Sequence, residues 1–146
     1  MYKADLRDCS FSGCHFDSVN LTECLLEGAQ FTDCSFDGAS ISSSNFDKVT
    51  FSNCKFNETE MCFTDFGATD LSGCMFEKCW ITRARMSRVK ALTQKQLESF
   101  FGDDSTVLPE HLERPEFWPR QGDITTWRRW NESGDIIESK ASVSYE

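Results

Sequence analysis

A large apolar residue stands at every fifth position from Leu6, Phe11, Phe16 and Leu21 onward to Ile81 and Met86, seventeen times in unbroken register. Two residues before each of these centres stands a small one, from Ala4, Cys9 and Cys14 to Cys79 and Ala84, never larger than valine. A period of five suits neither regular element, because centres would rotate by about 140° around a helix and would alternate faces along a strand. The pattern closes if each five-residue unit forms one side of a coil, with the small and large residues pointing in and three residues pointing out. The outward positions are mostly polar, as in Asp17-Ser18, Asp37-Gly38, Asp47-Lys48 and Ser52-Asn53.

A second period sets the number of sides. The segments Gly13-Cys14-His15-Phe16-Asp17, Asp33-Cys34-Ser35-Phe36-Asp37, Asn53-Cys54-Lys55-Phe56-Asn57 and Gly73-Cys74-Met75-Phe76-Glu77 recur every twenty residues, which makes four sides per turn. At an inter-strand spacing of about 4.8 Å, the roughly 4.4 turns over residues 2–90 make a column about 21 Å tall. Phe16, Phe36, Phe56 and Phe76 are expected to stack up one interior edge.

These units, beginning with Ala4-Asp5-Leu6-Arg7-Asp8, resemble the A(D/N)LXX units of the pentapeptide repeat family over roughly 60% of the chain. Cysteine for alanine and phenylalanine for leucine keep the small and large slots of that pattern. The resemblance implies an all-β solenoid, a right-handed quadrilateral β-helix of about four coils.

After Met86 the register fails. Thr93-Gln94-Lys95-Gln96 is a capping-box pattern followed by Leu97, Phe100, Phe101 and Gly102, which predicts a short amphipathic helix over about 93–101. Such a helix covers the last coil, where a solenoid would otherwise expose apolar side chains and unpaired backbone. The division is therefore a β-helix over 2–90, then a capping helix and docked tail over 91–146. The tail, with Pro109, Pro115, Pro119, Trp118, Trp127 and Trp130, reads as irregular, and Thr125 to Trp130 reads as either a helix turn or a hairpin strand. Leu92 to Trp118 also resembles the tail that follows the repeats in some bacterial family members. The N-terminal end shows no comparable cap, so either solvent or a partner covers it.

The chain has 146 residues with 24 acids against 15 bases, a formal charge of −9. That balance excludes a general nucleic-acid binder, which needs a surplus of Lys and Arg. There is no eighteen-residue apolar stretch and no leader pattern at Met1-Tyr2-Lys3, so no membrane contact is expected and the expected compartment is cytoplasmic. Charge is uneven along the column: residues 1–70 carry −8 and residues 71–90 carry +4. Acids form outward ladders, Asp17, Asp37 and Glu77 on one side and Glu27 and Asp47 on the opposite one.

No Gly-x-Ser-x-Gly elbow, phosphate-binding loop or paired acids in a cleft accompany His15 and His111, so neither catalysis nor a cofactor is expected. Seven of the eight cysteines occupy the small inward slot. Cys14, Cys34, Cys54 and Cys74 form a ladder whose outer members lie roughly 14 Å apart, which no tetrahedral metal site spans. They are read as packing residues, and outward Cys62 as the most reactive thiol. Phe63, Met75 and Trp80 stand at outward positions that are otherwise mostly polar. Such a patch marks contact with the tail, with a second subunit in a homodimer, or with a partner. The tail is the favoured cover.

The function expected is a non-enzymatic protein-interaction scaffold. The resemblance implies one alternative, because some family members are acidic rods that imitate DNA and bind type II topoisomerases such as gyrase. Asp17, Asp37, Glu77, Glu27 and Asp47 would then stand in for phosphates. The basic turn near the end of the column and the absence of any loop interrupting the repeats weigh against it.

Overall fold

The computed structural model describes residues 1–118 together with the backbone of 126–130 and 136–140. The repeats wind into a right-handed quadrilateral β-helix whose short strands stack in parallel, each residue above its counterpart twenty positions on. Strands β1 (Ser10–Ser12), β2 (Gln30–Thr32) and β3 (Thr50–Ser52) form one side, and β4 (Lys55–Asn57) pairs with β5 (Met75–Glu77) on the next. The other sides are held by single parallel bridges, such as Asn20 to Ser40 to Glu60 to Trp80.

The hydrogen bonds explain why five residues make a side. A centre's N–H donates to the carbonyl nineteen residues on, as from Phe36 to Lys55 at 2.9 Å and from Phe46 to Asp65 at 2.8 Å. The residue before each centre donates back to the previous coil, as from Lys55 to Cys34 at 3.0 Å. The corner falls two residues after most centres, where φ is positive: Ser18, Glu23, Ser43, Phe63 and Arg83 lie between 56° and 58°. Glycine adopts that conformation without a Cβ penalty, which accounts for Gly13, Gly38 and Gly73 at the same corner.

From Leu21 to Met86 every centre but Phe76 is buried. The phenylalanine rings make two stacks rather than one. Phe16, Phe36, Phe56 and Phe76 lie 5.0–5.1 Å apart, and beside them Phe11, Phe31 and Phe51 lie 5.1–5.2 Å apart. The stacks meet edge to face, a favourable arrangement for aromatic quadrupoles.

The small slot does more than make room. Thr59 donates its hydroxyl to the carbonyl of Phe36 at 2.8 Å, Thr64 to Ile41 at 3.2 Å and Ser44 to Leu21 at 3.1 Å. Cysteines donate to the same acceptor: Cys54 to Phe31 at 3.4 Å, Cys74 to Phe51 at 3.0 Å and Cys79 to Phe56 at 2.8 Å. In each case the carbonyl belongs to the centre twenty-three residues earlier. The slot therefore accepts a small residue that carries a weak donor, and thiol and hydroxyl are interchangeable there.

The expected helix over 93–101 is one turn, α1 (Gln94–Leu97). Its capping box forms, with the Gln96 N–H on Thr93 Oγ1 at 3.1 Å and the Thr93 N–H on Gln96 Oε1 at 2.9 Å. It stops early because the parallel ladder competes for the next residues: β7 (Phe100–Phe101) pairs with β6 (Cys79–Trp80), and Val107 bridges to Arg85. The column thus gains a further, irregular turn, with Leu92, Leu97 and Phe101 buried at uneven intervals. Where α1 interrupts the ladder, the Gln96 side chain supplies the missing donor, its Nε2 meeting the Cys74 carbonyl at 3.0 Å. Trp118 then closes this end, 2% exposed, its Nε1 donating to the Phe100 carbonyl at 2.9 Å. Gly102 makes room for it, since a Cβ there would lie 2.7 Å from the indole.

Of the two readings of Thr125 to Trp130, the strand is the one formed: β8 (Thr126–Trp130) pairs antiparallel with β9 (Ile136–Lys140). The side chains of Trp127 and Trp130 lie outside the described residues. No helix among the described residues is long and apolar enough to cross a membrane.

Candidate interaction surface

The outward residues form straight ladders because successive coils stack in register. Asp17 and Asp37 lie on one such ladder, and each spends an oxygen on the coil below. Asp17 Oδ1 accepts the Asp37 N–H at 3.0 Å, and Asp37 Oδ1 accepts the Asn57 N–H at 3.1 Å. The Ser35 hydroxyl, the Asp37 N–H and nearby His15 hold the Asp17 carboxyl below its ordinary range. Glu77 continues the ladder in the open and lies 3.9 Å from Lys78. On the opposite side Asp47 Oδ1 accepts the Ala68 N–H at 3.2 Å, and Glu27 pairs with Lys48 at 3.6 Å. Gly67 is required beside Asp47, since a Cβ there would lie 2.4 Å from its carboxylate oxygen. The acid ladders are therefore partly internal fittings of the column.

Two of the three apolar candidates come together. Phe63 and Trp80 line a surface groove of about 470 Å³ with Ser42, Ser43, Glu60 and Cys62. Met75 lies on the neighbouring side, 55% exposed. Phe63 is 56% exposed, and the Arg83 guanidinium sits over its ring at 5.4 Å. Trp118 does not cover this groove. Its indole is the plug of the column's end, where Gly102 and the Phe100 carbonyl offer both a flat seat and an acceptor.

Cys62 sits in the same groove, half-buried, and burial pushes its thiol up. It is therefore a poorer nucleophile than its outward position suggests. Burial likewise pushes Cys34 up and Cys79 up to about 12, while the adjacent Cys74 thiol and burial raise Cys54. Cys9 and Cys14 are half-buried, because no coil packs on them from the N-terminal side among the described residues. All eight cysteines are free, and no cluster of metal-ligating side chains forms among the described residues.

Two features go beyond what the sequence shows: Gln96 replaces a backbone donor and Trp118 forms the end plug, while the uncapped N-terminal end expected from the sequence is the outward edge of β1. Gln96 was visible as a capping residue, but its second bond depends on the coil beneath it.

The family model for pentapeptide repeats matches the chain in eight copies, over residues 1–38, 14–53 and 44–88. Among solved structures, the pentapeptide repeat protein Rfr23 from the cyanobacterium Cyanothece 51142 is similar with a TM-score of 0.57 at 12% identity, over 73% of this chain and 88% of that one. HetL, a pentapeptide repeat protein involved in heterocyst differentiation regulation in Nostoc sp. strain PCC 7120, matches at 9% identity over 73% of each chain, with a TM-score of 0.31. QnrB1, a plasmid-mediated fluoroquinolone resistance protein, matches at 16% identity over 80% of this chain and 67% of that one, with a TM-score of 0.28. The likeness to Rfr23 bears on the fold. No curated protein sequence matches the chain.

Proposed function

The chain belongs to the pentapeptide repeat family, and from that premise we propose that it is a non-enzymatic scaffold that binds another protein through the outward ladders of its column. The observation that carries this reading is the division of the residues. Inward positions are filled by stacked rings and small donors, leaving chemistry to flat faces of side chains repeated at strand spacing. Flat, regularly spaced polar faces suit a broad protein contact better than the enclosure of a small substrate. The groove at Phe63 and Trp80 adds an apolar anchor of the kind that concentrates binding energy in such contacts.

The DNA-mimic alternative draws support from the −8 charge of residues 1–70. It asks for carboxylates free to stand in for phosphates, whereas Asp17, Asp37 and Asp47 each hold a backbone N–H and Glu27 is paired with Lys48. The scaffold reading is the better supported of the two.

A photo-crosslinking residue placed in turn at Ser52, Asn57, Phe63 and Glu27 samples different parts of the outward surface in living cells. Adducts with one and the same protein, from neighbouring positions and not from the rest, are the expected result. Absence of protein adducts at all four would remove the scaffold reading. A gyrase supercoiling assay separates the alternative: no inhibition is expected, and inhibition lost when Asp17, Asp37, Glu27 and Asp47 become Asn or Gln would establish mimicry instead.

A further inference from the structure

The two ends of the column differ in what they leave unpaired. In β2 the N–H of Gln30 donates to the Cys9 carbonyl at 2.8 Å, and the carbonyl of Thr32 accepts from Gly13 at 2.9 Å. The odd-numbered residues Cys9, Phe11 and Gly13 thus face β2, and the backbone N–H and C=O groups of Ser10 and Ser12 face away from it. Among the described residues no backbone group pairs with that edge; the Ser12 carbonyl takes only the Cys14 thiol, at 3.5 Å, just as the Thr32 carbonyl takes that of Cys34 while also accepting the Gly13 N–H. The apolar lining of this end, Ala4, Leu6, Phe11, Cys14 and Val19, is half-buried where its counterparts one coil down are almost wholly buried.

We propose that a second copy of this chain covers the N-terminal end, the two columns joining end to end about a two-fold axis through Phe11. The edge is self-complementary. With Phe11 opposite its own copy as a non-hydrogen-bonded antiparallel pair, Ser10 of each chain lies opposite Ser12 of the other and exchanges both backbone bonds with it. Directly opposed residues of an antiparallel pair point to one face, so both Phe11 rings enter the shared interior. Each already has Phe31 stacked beneath it at 5.1 Å. The same rotation lays Leu6 of each copy over Phe16 of the other. A two-fold contact needs no partner of different shape, and the ends of two four-sided columns match side for side.

Charge points to the same occupant. Residues 1–20 carry two bases and three acids, whereas residues 21–70 carry two bases and nine acids. The open coil is the nearly neutral part of an acidic column, so a like copy meets little repulsion there and strong repulsion along the sides. At the rim Asp5 is neutralised by Arg7 at 2.7 Å, and Lys3 pairs with Glu23 at 3.3 Å. An exposed parallel edge also invites uncontrolled pairing, and closure by a copy of itself removes that hazard. The proposal concerns the end of the column and stands apart from any partner bound along its sides.

Light scattering over a dilution series of the full chain tests it. The expected mass at the concentrated end is twice the 16.7 kDa of one chain. Ser10→Pro removes an N–H that the fold itself does not use, and is expected to yield single chains with an unchanged circular dichroism spectrum. A charge pair guards against misfolding by proline. Ser10→Glu with Ser12→Glu, and separately Ser10→Lys with Ser12→Lys, place like charges across the join and are each expected to run as single chains. Mixing the two is expected to restore the doubled mass. A single-chain mass for the wild type at every concentration overturns the proposal, as does a mixture that stays at single mass while the wild type doubles.

Discussion

At the C-terminal end of the column the last coil is covered, whereas at the N-terminal end the first coil is uncovered among the described residues. Each of the four sides of the last regular coil finds a cover: Lys90 bridges to Asp70, the Gln96 side chain meets the Cys74 carbonyl, β7 pairs with β6, and Val107 bridges to Arg85. Thr106 keeps the small-slot bond, its hydroxyl on the Ile81 carbonyl at 3.0 Å. Trp118 then seals the end. At the other end Leu6 and Phe11 are the same kind of residue in the same kind of slot as buried Leu26 and Phe31, yet they remain half-exposed. A repeat passes its unmet hydrogen bonds and its open ring face to the next repeat. Only residues that break the repeat can discharge them, so the irregular part of this sequence decides where the regular part ends.

The largest expected effect comes from undoing the closed end. Trp118→Ala removes a buried indole and orphans the Phe100 carbonyl, and should cost about 3–5 kcal/mol in chemical denaturation. Phe11→Ala, at the open end, should cost about 1–2 kcal/mol in dilute protein, because that ring is only partly buried to begin with. If the second copy covers the end, the Phe11→Ala penalty grows with protein concentration while the Trp118→Ala penalty does not. Equal penalties in dilute protein would erase the distinction between the ends.

A second effect separates the sealed interior from both ends. Cys79 keeps its proton in the folded protein up to about 12, against an ordinary 9.0 in the unfolded chain. The folded state then binds more protons than the unfolded one between those values, so stability is whole below pH 9 and is lost as pH rises towards 12. Cys79→Thr keeps a donor for the Phe56 carbonyl, as Thr59 does for Phe36. It should lessen the alkaline loss by a few kcal/mol, at about 1.4 kcal/mol per pH unit. Thermal melts across this range check it, and an unchanged alkaline slope in the variant would mean that water reaches the slot.

The contrast between the ends also explains what was legible in the sequence. The seventeen centres and the twenty-residue recurrence dictate a four-sided column because only one arrangement buries a period of five. The mixture of Cys, Ser and Thr at the small slot also carried a signal, a shared donor, that size alone concealed. The continuation past residue 90 was hidden because Leu92, Leu97 and Phe101 are spaced by five and four rather than by a constant five. Phe101 is placed by the pairing of Phe100–Phe101 with Cys79–Trp80, a contact between residues about twenty apart that local spacing does not encode. The candidate acids were visible as ladders. That Asp17, Asp37 and Asp47 are tied to backbone depended on the coil beneath each. Phe63 and Trp80 were legible as neighbours because position within the coil determines the side, whereas the seat of Trp118 required knowing that Gly102 leaves a gap.

A smaller effect isolates the device that lets a helix turn interrupt the ladder. Gln96→Ala removes the donor to the Cys74 carbonyl and the acceptor for the Thr93 N–H, and should cost about 1–3 kcal/mol. Gln96→Glu keeps the acceptor and loses the donor, and turns a carboxylate towards a carbonyl. If the bond to the coil is the one that matters, Gln96→Glu is at least as destabilising as Gln96→Ala by denaturation. If it is milder, the capping box carries the residue's contribution.

The smallest effect in energy gives the most direct map of the two ends, because it leaves the protein intact and reads which thiols solvent can reach. Cys9 and Cys14 line the open end and are half-buried, whereas Cys34, Cys54 and Cys79 lie under neighbouring coils and hold their protons tightly. A thiol reagent needs both access and the thiolate, so each interior cysteine must wait for its coil to open. Pulse labelling followed by peptide mass mapping should modify Cys9 and Cys14 first and Cys62 more slowly, since burial in its groove raises its thiol. The interior ladder should lag by at least about a hundredfold, the factor set by an opening of about 3 kcal/mol. Raising the protein concentration should slow Cys9 and Cys14 alone if a second copy seats on that end. Labelling of Cys54 as fast as Cys9 would mean that the column opens from its middle, and the difference between a finished end and an open one would then have no bearing on how the protein breathes.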